Sequence, residues 1–491
     1  MRKLKIKLKQ HTPLIHFQHD QEGATLRASE VKPKLDKYIL TLLGEGDYEA
    51  GKSKAKDKRW IIGDHPALNF KMRIEAKDKI ESVSLNVNSK FKKGKTLYET
   101  ELFPFLLANM GGKEREEELM NLSMYDSVDV VLSIFKDDLF DEINKRIELF
   151  FAIHNFGQRQ TKGFGSFTVV SKQVDDEEPQ IVIWTSKTYY KSGTPIMKFQ
   201  LIKEDKFERQ RILFSVLDFY WRCLKSGINY TKRIPPRNGI GDVQIKNSER
   251  YIKSYLWTYL SQKKYTWEKR YLKREFGLET SYPVRQFADQ SFKESFARGL
   301  MGCPDKYEYR IPQNDYYEDR SGRMKETNIS ETIDIKNKTG KIDRISSPIY
   351  FKPYISGNQA TIYILFDDEL IQQLINLPKE DRVYKFTCRN RPKEMSIIPE
   401  TISYLELIKK FHNHIFTNME FIRSTLGEYN NNKWTPAIIK ISQNQDGKTV
   451  RKWGGIDMSW KMVPRDFNWK NILDPNDNGQ NQYVSFAQIM K

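Results

Sequence analysis

The stretch IHNFGQRQTKGFGSF, residues 153–167, gathers three glycines, two glutamines and the cations Arg159 and Lys162. Gly157, Gly163 and Gly165 would let backbone N–H groups approach a ligand and form an anion-binding concavity, to which the two cations add charge. The spacing excludes two nucleotide-binding loops. A Walker A loop needs its lysine directly after the last glycine, whereas Lys162 precedes Gly163, and no GxGxxG follows. What remains is a loop suited to an extended phosphodiester backbone, RNA or DNA, or a glycine-rich hairpin of structural purpose alone.

Two further groups could do chemistry. His16, His19 and Asp20 lie together after the first strand-like segment. They are a weak metal set without a fourth ligand. They could instead act as acid and base in RNA cleavage, because histidine titrates near neutral pH, or touch sugar and phosphate. The last is the reading preferred. Lys32 and Lys34 flank Pro33, a residue suited to a first helical turn. Lysines there oppose the positive end of the helix dipole by about 0.3–1 kcal/mol each, and a docked anion would reverse the sign. Ser29 or Lys32 would then flank the helix N-terminus. The tetrad SEVK at Ser29–Lys32 matches the SxxK of acyl-transfer enzymes by accident, since no SDN or KTG partner exists. His412 and His414 fall on a helix and are read as surface.

The elements that must position these residues follow from periodicity. LKIKLKQHTPLIHF, 4–17, alternates as a half-buried strand whose polar positions Lys5, Lys7 and Lys9 form a line of positive charge. Leu35, Ile39, Leu42 and Leu43 have helical spacing that ends at Gly44. GKSKAKDKRW, 51–60, reads as a mobile basic loop. IESVSLNVNS reads as a strand, 137–157 as a helix with an apolar stripe at Leu139, Ile143, Ile147 and Phe150, and GSFTVVS as a strand. The order is compatible with a split βαβ, ferredoxin-like unit over residues 1–175. The acidic break SKQVDDEEPQ separates it from 176–491.

In that second part, 207–227 reads as a helix, INYTKRIPPRNGIGD as a loop, and 248–277 as a long helical region broken near Lys263. Six basic residues between Lys263 and Arg274 interleave with Tyr265, Trp267 and Tyr271. They make either an RNA-facing surface or the solvated side of an aromatic-rich helix. Arg310–Lys341 reads as a long loop, RISSPIYFKPY as a strand, ATIYILFDDELIQQLIN as strand then helix, and ETISYLELIKKFHNHIF as a helix. WTPAIIKISQNQDGKTVRKW reads as a hairpin with an Asp-Gly turn.

Composition narrows the partner. The chain has 491 residues, a net charge of +18 and 13% aromatic residues. Such a field favours a polyanion, and aromatics beside lysine or arginine suit base stacking with phosphate contact. Cys223, Cys303 and Cys388 are far apart and form no CxxC, so neither a zinc site nor a disulfide framework is expected, and a cytoplasmic location fits. No apolar run is long enough for a transmembrane helix. The basic N-terminus lacks the apolar segment of a signal peptide.

These motifs together resemble the RAMP superfamily of CRISPR effector complexes. LRASEVKPKL, with Arg27, Ser29, Val31, Lys32 and Leu35, is similar to the basic motif that enters the family's first helix, with Pro33 where the family has glycine. TPLIHF resembles the first strand, and GQRQTKGFGSF the glycine-rich loop late in the domain. ARGLMG, 297–302, and RISSPIYFKPY resemble a Leu-x-Gly segment and a Ser-Pro strand of larger members. Length and layout look most like the large two-domain end-capping RAMP subunit of Cmr-type (type III-B) complexes. The resemblance implies an α+β chain of two tandem modified ferredoxin-like (RRM-like) domains with helical insertions and an irregular C-terminal tail. It implies RNA binding near the crRNA 3′ end, at target RNA, or both, through Arg27, Ser29, Lys32, Lys34, Gly157, Arg159, Lys162, Gly163 and Gly165. It implies other RAMP subunits as partners, with no metal, cofactor or membrane. Family RNA cleavage belongs to a different subunit with an aspartate in a similar loop. Asp20 falls near that place, and the activity is not carried over. Two alternatives stand beside this reading: a metal-free RAMP endoribonuclease that processes crRNA precursor with His16 or His19, and a basic scaffold for a protein partner.

Overall fold

A computed structural model describes residues 1–15, 25–61, 65–86, 119–183, 196–201, 206–234, 244–252, 254–262, 264–265, 267–278, 294–318, 324–342, 345–397, 403–417, 440–443 and 449–452. The chain is α+β and forms two compact units. One comprises Met1–Asp218 with Ile349–Asp367 and Trp434–Lys491, the other Phe219–Pro348 with Asp368–Lys433.

The first unit is built on an antiparallel sheet. Strand β1 (Arg2–Gln10) is central because its alternation buries Leu4, Ile6 and Leu8 on one side and turns its lysines to the other. It pairs with β3 (Leu119–Ile134) on one flank and β4 (Phe167–Val174) on the other, and β2 (Phe70–Asn86) lies outside β3. The order β4–β1–β3–β2 is that of a ferredoxin-like fold. Helices α1 (Ala28–Leu43) and α3 (Asp137–Ile153) bury Val31, Leu35 and Ile39, and Ile143, Ile147 and Phe150, in the core shared with the sheet. The acids Asp137 and Asp138 suit the positive start of α3.

Two expectations change here. Helix α1 starts at Ala28, so Pro33 lies inside it and not at its first turn. Val31 extends the stripe of Leu35 and Ile39 upstream, and burying it draws the helix start back. The expected basic loop at 51–60 is helix α2 (Tyr48–Asp57). Asp47 caps it, its Oδ1 accepting from the N–H groups of Glu49 at 2.8 Å and Ala50 at 3.0 Å. Gly51 and Ala55 form its buried side, and Lys54 and Lys56 sit in the last turn, where cations favour the dipole.

The hairpin Ile349–Ser356 and Gln359–Phe366 also belongs to this unit, where it pairs with Ile196–Gln200. Its two strands and the following helix, Asp368–Asn376, are the elements expected from the sequence.

The second unit carries a four-stranded antiparallel sheet in chain order: Lys306–Glu318, Met324–Asn337, Val383–Cys388 and Arg391–Ser396. The first two strands occupy the segment expected as a long loop. Tyr307, Tyr309, Ile333 and Ile335 are buried at alternate positions while Glu308, Asp334 and Lys336 are exposed, so period-two burial prevails over a polar composition. INYTKRI is likewise a strand, Ile228–Ile234, paired with Gln244–Ile252. The long helical region is instead the end of that partner strand and two short helices, Tyr255–Ser261 and Glu268–Glu275. Tyr265 and Tyr271 between and within them are buried. His412, on helix Tyr404–Thr417, is not surface. It is buried with Nε2 2.7 Å from Tyr220 Oη, and burial lowers its pKa to about 3. His414 is half-buried. The C-terminal strands Lys440–Gln443 and Thr449–Lys452 pair as expected, and their Asp-Gly turn lies outside the described residues. The three cysteines are buried free thiols. No helix among the described residues is long and apolar enough to cross a membrane.

Candidate nucleic-acid interface

The glycine-rich loop leaves the end of α3, makes one 3₁₀ turn at Gln160–Lys162 and enters β4. Gly157, Arg159, Gly163 and Gly165 all have positive φ. The close approach that two of these glycines permit is to the chain itself. A Cβ on Gly165 would stand 1.9 Å from the Phe156 carbonyl oxygen, and one on Gly157 2.5 Å from that of Ile15. Their N–H groups are engaged as well. Gly157 donates to the Glu30 carboxylate, Gly165 to Pro13 O at 2.9 Å and Gly163 to Gln160 O at 3.1 Å. The neighbouring Gln158 N–H reaches Ile15 O at 2.7 Å. The loop therefore offers a ligand its side chains more than a cradle of amides. Arg159, half-buried, has its pKa lowered to about 10 by burial and remains cationic at neutral pH. Lys162 closes the 3₁₀ turn.

Helix α1 fixes this loop from one side. Glu30 takes the Gly157 N–H, and Lys34 Nζ donates to Asn155 O at 2.9 Å and to the Gln160 side-chain oxygen. The Lys34 ammonium also lies 5.0 Å from the Phe156 ring centroid, and burial lowers its pKa. Lys32 is two residues away, which is about 200° around a helix. It turns instead to Asp36 Oδ2 at 2.8 Å and Leu68 O at 3.0 Å, over the Phe70 ring at 4.3 Å. Burial raises the Asp36 pKa to about 6 against that pull. Arg27, extended, is the residue before the first turn of α1, and Ser29 is exposed within that turn. The fold thus joins the start of α1 to the loop through Glu30 and Lys34, and sends Lys32 elsewhere. His16, His19 and Asp20 lie outside the described residues. Among the described residues, no group of three or more His, Cys, Asp or Glu side chains could hold a metal ion.

Sequence reading missed the other support of the loop. The strand Ile349–Ser356 meets residues 153–168 through side chain-to-backbone hydrogen bonds. Tyr350 Oη donates to Ile153 O at 2.8 Å, and Lys352 Nζ to His154 O at 2.7 Å and Phe167 O at 3.0 Å. Asn155 Nδ2 donates to Phe351 O at 2.7 Å and Ser166 Oγ to Pro353 O at 2.6 Å. The Ile355 N–H reaches His11 Nδ1 at 3.1 Å, which leaves His11 Nε2–H to donate to Thr168 Oγ1 at 2.7 Å. Lys352 is only 1% exposed, and burial drives its pKa far down. The carbonyls of Ile153 and His154 end helix α3, where partial negative charge favours cations and donors. The one signal in the sequence was a lysine between Phe351 and Pro353 in an otherwise apolar strand.

The Cmr1 N-terminal domain family matches residues 1–228, and the Cmr1 C-terminal domain family matches residues 251–449. The chain belongs to the Cmr1 family. It is thus a RAMP subunit of the Cmr type (type III-B). Three solved structures are similar to this Cmr1 chain. Cmr1 from Pyrococcus furiosus in its apo form is 12% identical, with a TM-score of 0.35 over 82% of this chain and 91% of that one. A chain of the type III-B Cmr-beta complex bound to cognate target RNA is 14% identical, with a TM-score of 0.25, and the match covers 35% of this chain and 60% of that one. A chain of the same kind of complex with target RNA and AMPPnP, in the presence of ssDNA, is 8% identical with a TM-score of 0.30 over 74% and 94%. A comparison with curated proteins finds no match.

Proposed function

We propose that this Cmr1-family chain is a non-catalytic RNA-binding subunit of a cytoplasmic type III-B CRISPR ribonucleoprotein. It would contact crRNA near its 3′ end, target RNA, or both, beside other RAMP subunits. One observation carries the reading. The first turns of α1 and the loop 157–165 are tied into one surface by Glu30–Gly157 and Lys34–Gln160. That surface presents Arg27, Ser29, Arg159 and Lys162 for phosphate oxygens. Gly157, Gly163 and Gly165 shape the loop and Lys34 positions it, while Lys32 is taken up by Asp36 and Leu68 O. Single-stranded RNA is held in this manner by backbone charge with little base readout.

The test is the salt dependence of single-stranded RNA binding by the full chain. Arg159→Ala with Lys162→Ala should weaken binding and flatten log Kd against log salt by about 0.7 for each phosphate no longer neutralised. An unchanged slope removes the loop from the interface. Cleavage of repeat RNA in EDTA that disappears on His16→Ala or His19→Ala would replace this reading with that of an endoribonuclease.

A further inference from the structure

The face of the first-unit sheet opposite α1 and α3 has no role in the surface just described. Strand β1 turns Lys3, Lys5, Lys7 and Lys9 to it while Leu4, Ile6 and Leu8 point to the core. Register extends the charge sideways. Lys3 and Lys71 both face Ser133 of β3, and Lys5 and Arg73 both face Val131, so two rows each carry a cation on β1, a neutral residue on β3 and a cation on β2. Carboxylates enter at two places: Asp175, which accepts from the Lys3 N–H at 2.6 Å and pairs with Arg2, and the third row, where Lys7 and Glu75 flank Asp129. Arg73 pairs with Glu75, but among the described residues Lys3, Lys5, Lys7, Lys9 and Lys71 make no ion pair. Alternate residues of a strand are about 6.8 Å apart, so the four lysines of β1 repel one another along a line whose neighbouring carboxylates are Asp175 beside Lys3 and Asp129 opposite Lys7.

We propose that this open face is a second polyanion site, taking an extended single strand of nucleic acid by its phosphates. The lysines recur at about 6.8 Å along one strand axis, so an extended phosphodiester can lay successive phosphates along their line. No aromatic side chain stands in these three rows, where the residues of β4 are Ser171 and Gln173, so bases find no stacking platform and their identity is not read. An acidic peptide fits less well. Strand β1 is hydrogen-bonded on both sides, by β3 and β4, and offers no free edge for an added strand. A flexible phosphodiester needs only the charge. The site is separate from the loop at 157–165 and does not depend on it.

The full chain tests this with fluorescently labelled oligo(U) and oligo(A), by anisotropy over a range of KCl concentrations. Lys3, Lys5, Lys7 and Lys9 are changed together to Gln in one variant and to Arg in a second. A third is Lys71→Gln, and a fourth is Arg159→Ala with Lys162→Ala. The Gln set should flatten the salt slope by about 0.7 for each phosphate set free, equally for both homopolymers. The Arg set should keep the wild-type slope, and Lys71→Gln alone should flatten it by the share of one phosphate. The Gln-set effect should add to that of the loop variant. A wild-type slope in both the Gln set and Lys71→Gln overturns the proposal, and leaves the loop reading standing if the slope of the loop variant still falls. An effect confined to one homopolymer, or intact RNA binding with failed assembly onto protein partners, also overturns it. If the four-lysine Gln set fails to fold, Lys71→Gln and the Arg set decide.

Discussion

At the residue scale, burial holds His412 neutral. His412 binds Tyr220 Oη, and burial lowers its pKa from the ordinary 6.5 to about 3. The unfolded chain takes a proton there below about pH 6.5 and the folded chain does not until about pH 3, so this group's contribution is complete above 6.5 and declines as pH falls. The loss is about 1.4 kcal/mol per pH unit. In urea unfolding between pH 6.5 and 5, the wild type should lose stability more steeply than His412→Gln by up to that amount. Equal slopes would mean that His412 is protonated in the fold. Lys352 is the other decisive residue. Lys352→Met keeps the apolar stem and orphans two carbonyls, a cost of about 1–3 kcal/mol. Amide exchange over 153–168 should quicken with it, and unchanged exchange would deny Lys352 its role in holding the loop. Little of this was legible beforehand. A sequence shows a lysine in an apolar strand but not that a carbonyl 198 residues away in the chain will receive it.

At the element scale, α2 shows how local chemistry decides structure against composition. Its lysines suggested a loop, yet Asp47 caps the helix and Gly51 lets it cross α1 closely. Asp47→Ala should cost about 0.5–2 kcal/mol. Gly51→Ala should cost more, because a Cβ there would stand 1.8 Å from the Leu40 carbonyl oxygen and the two helix backbones would have to part. Thermal unfolding of the two variants ranks them, and the reverse order would contradict the crossing. Elements with a clean period were readable: β1, α3, β4, the hairpin at 349–366 and the helix at 404–417. Those missed have an intelligible reason. The strands at 306–318 and 324–337 alternate only where Tyr307, Tyr309, Ile333 and Ile335 fall, amid polar residues that read as loop. The strand at 228–234 carries Lys232 and Arg233, and pairing with 244–252, not local pattern, makes it a strand.

At the scale of the whole molecule, topology was the legible part. The order strand, helix, strands, helix, loop, strand pointed to a ferredoxin-like first unit. A single division of the chain at residue 175 could not anticipate units that interleave. Residues 349–367 return to the first unit by pairings far apart in sequence, which no local pattern encodes. The same return supplies the hydrogen bonds that hold the glycine-rich loop, so the loop's support was hidden for the same reason.

The central claim is that this chain works as an RNA-holding subunit among other RAMP proteins. The most direct measurement is to isolate the full-length protein from its own cells under mild salt, read the A260/A280 ratio, and sequence the nucleic acid and partner proteins that accompany it. The account predicts crRNA with defined ends together with further RAMP subunits. Protein free of RNA and of partners would contradict it.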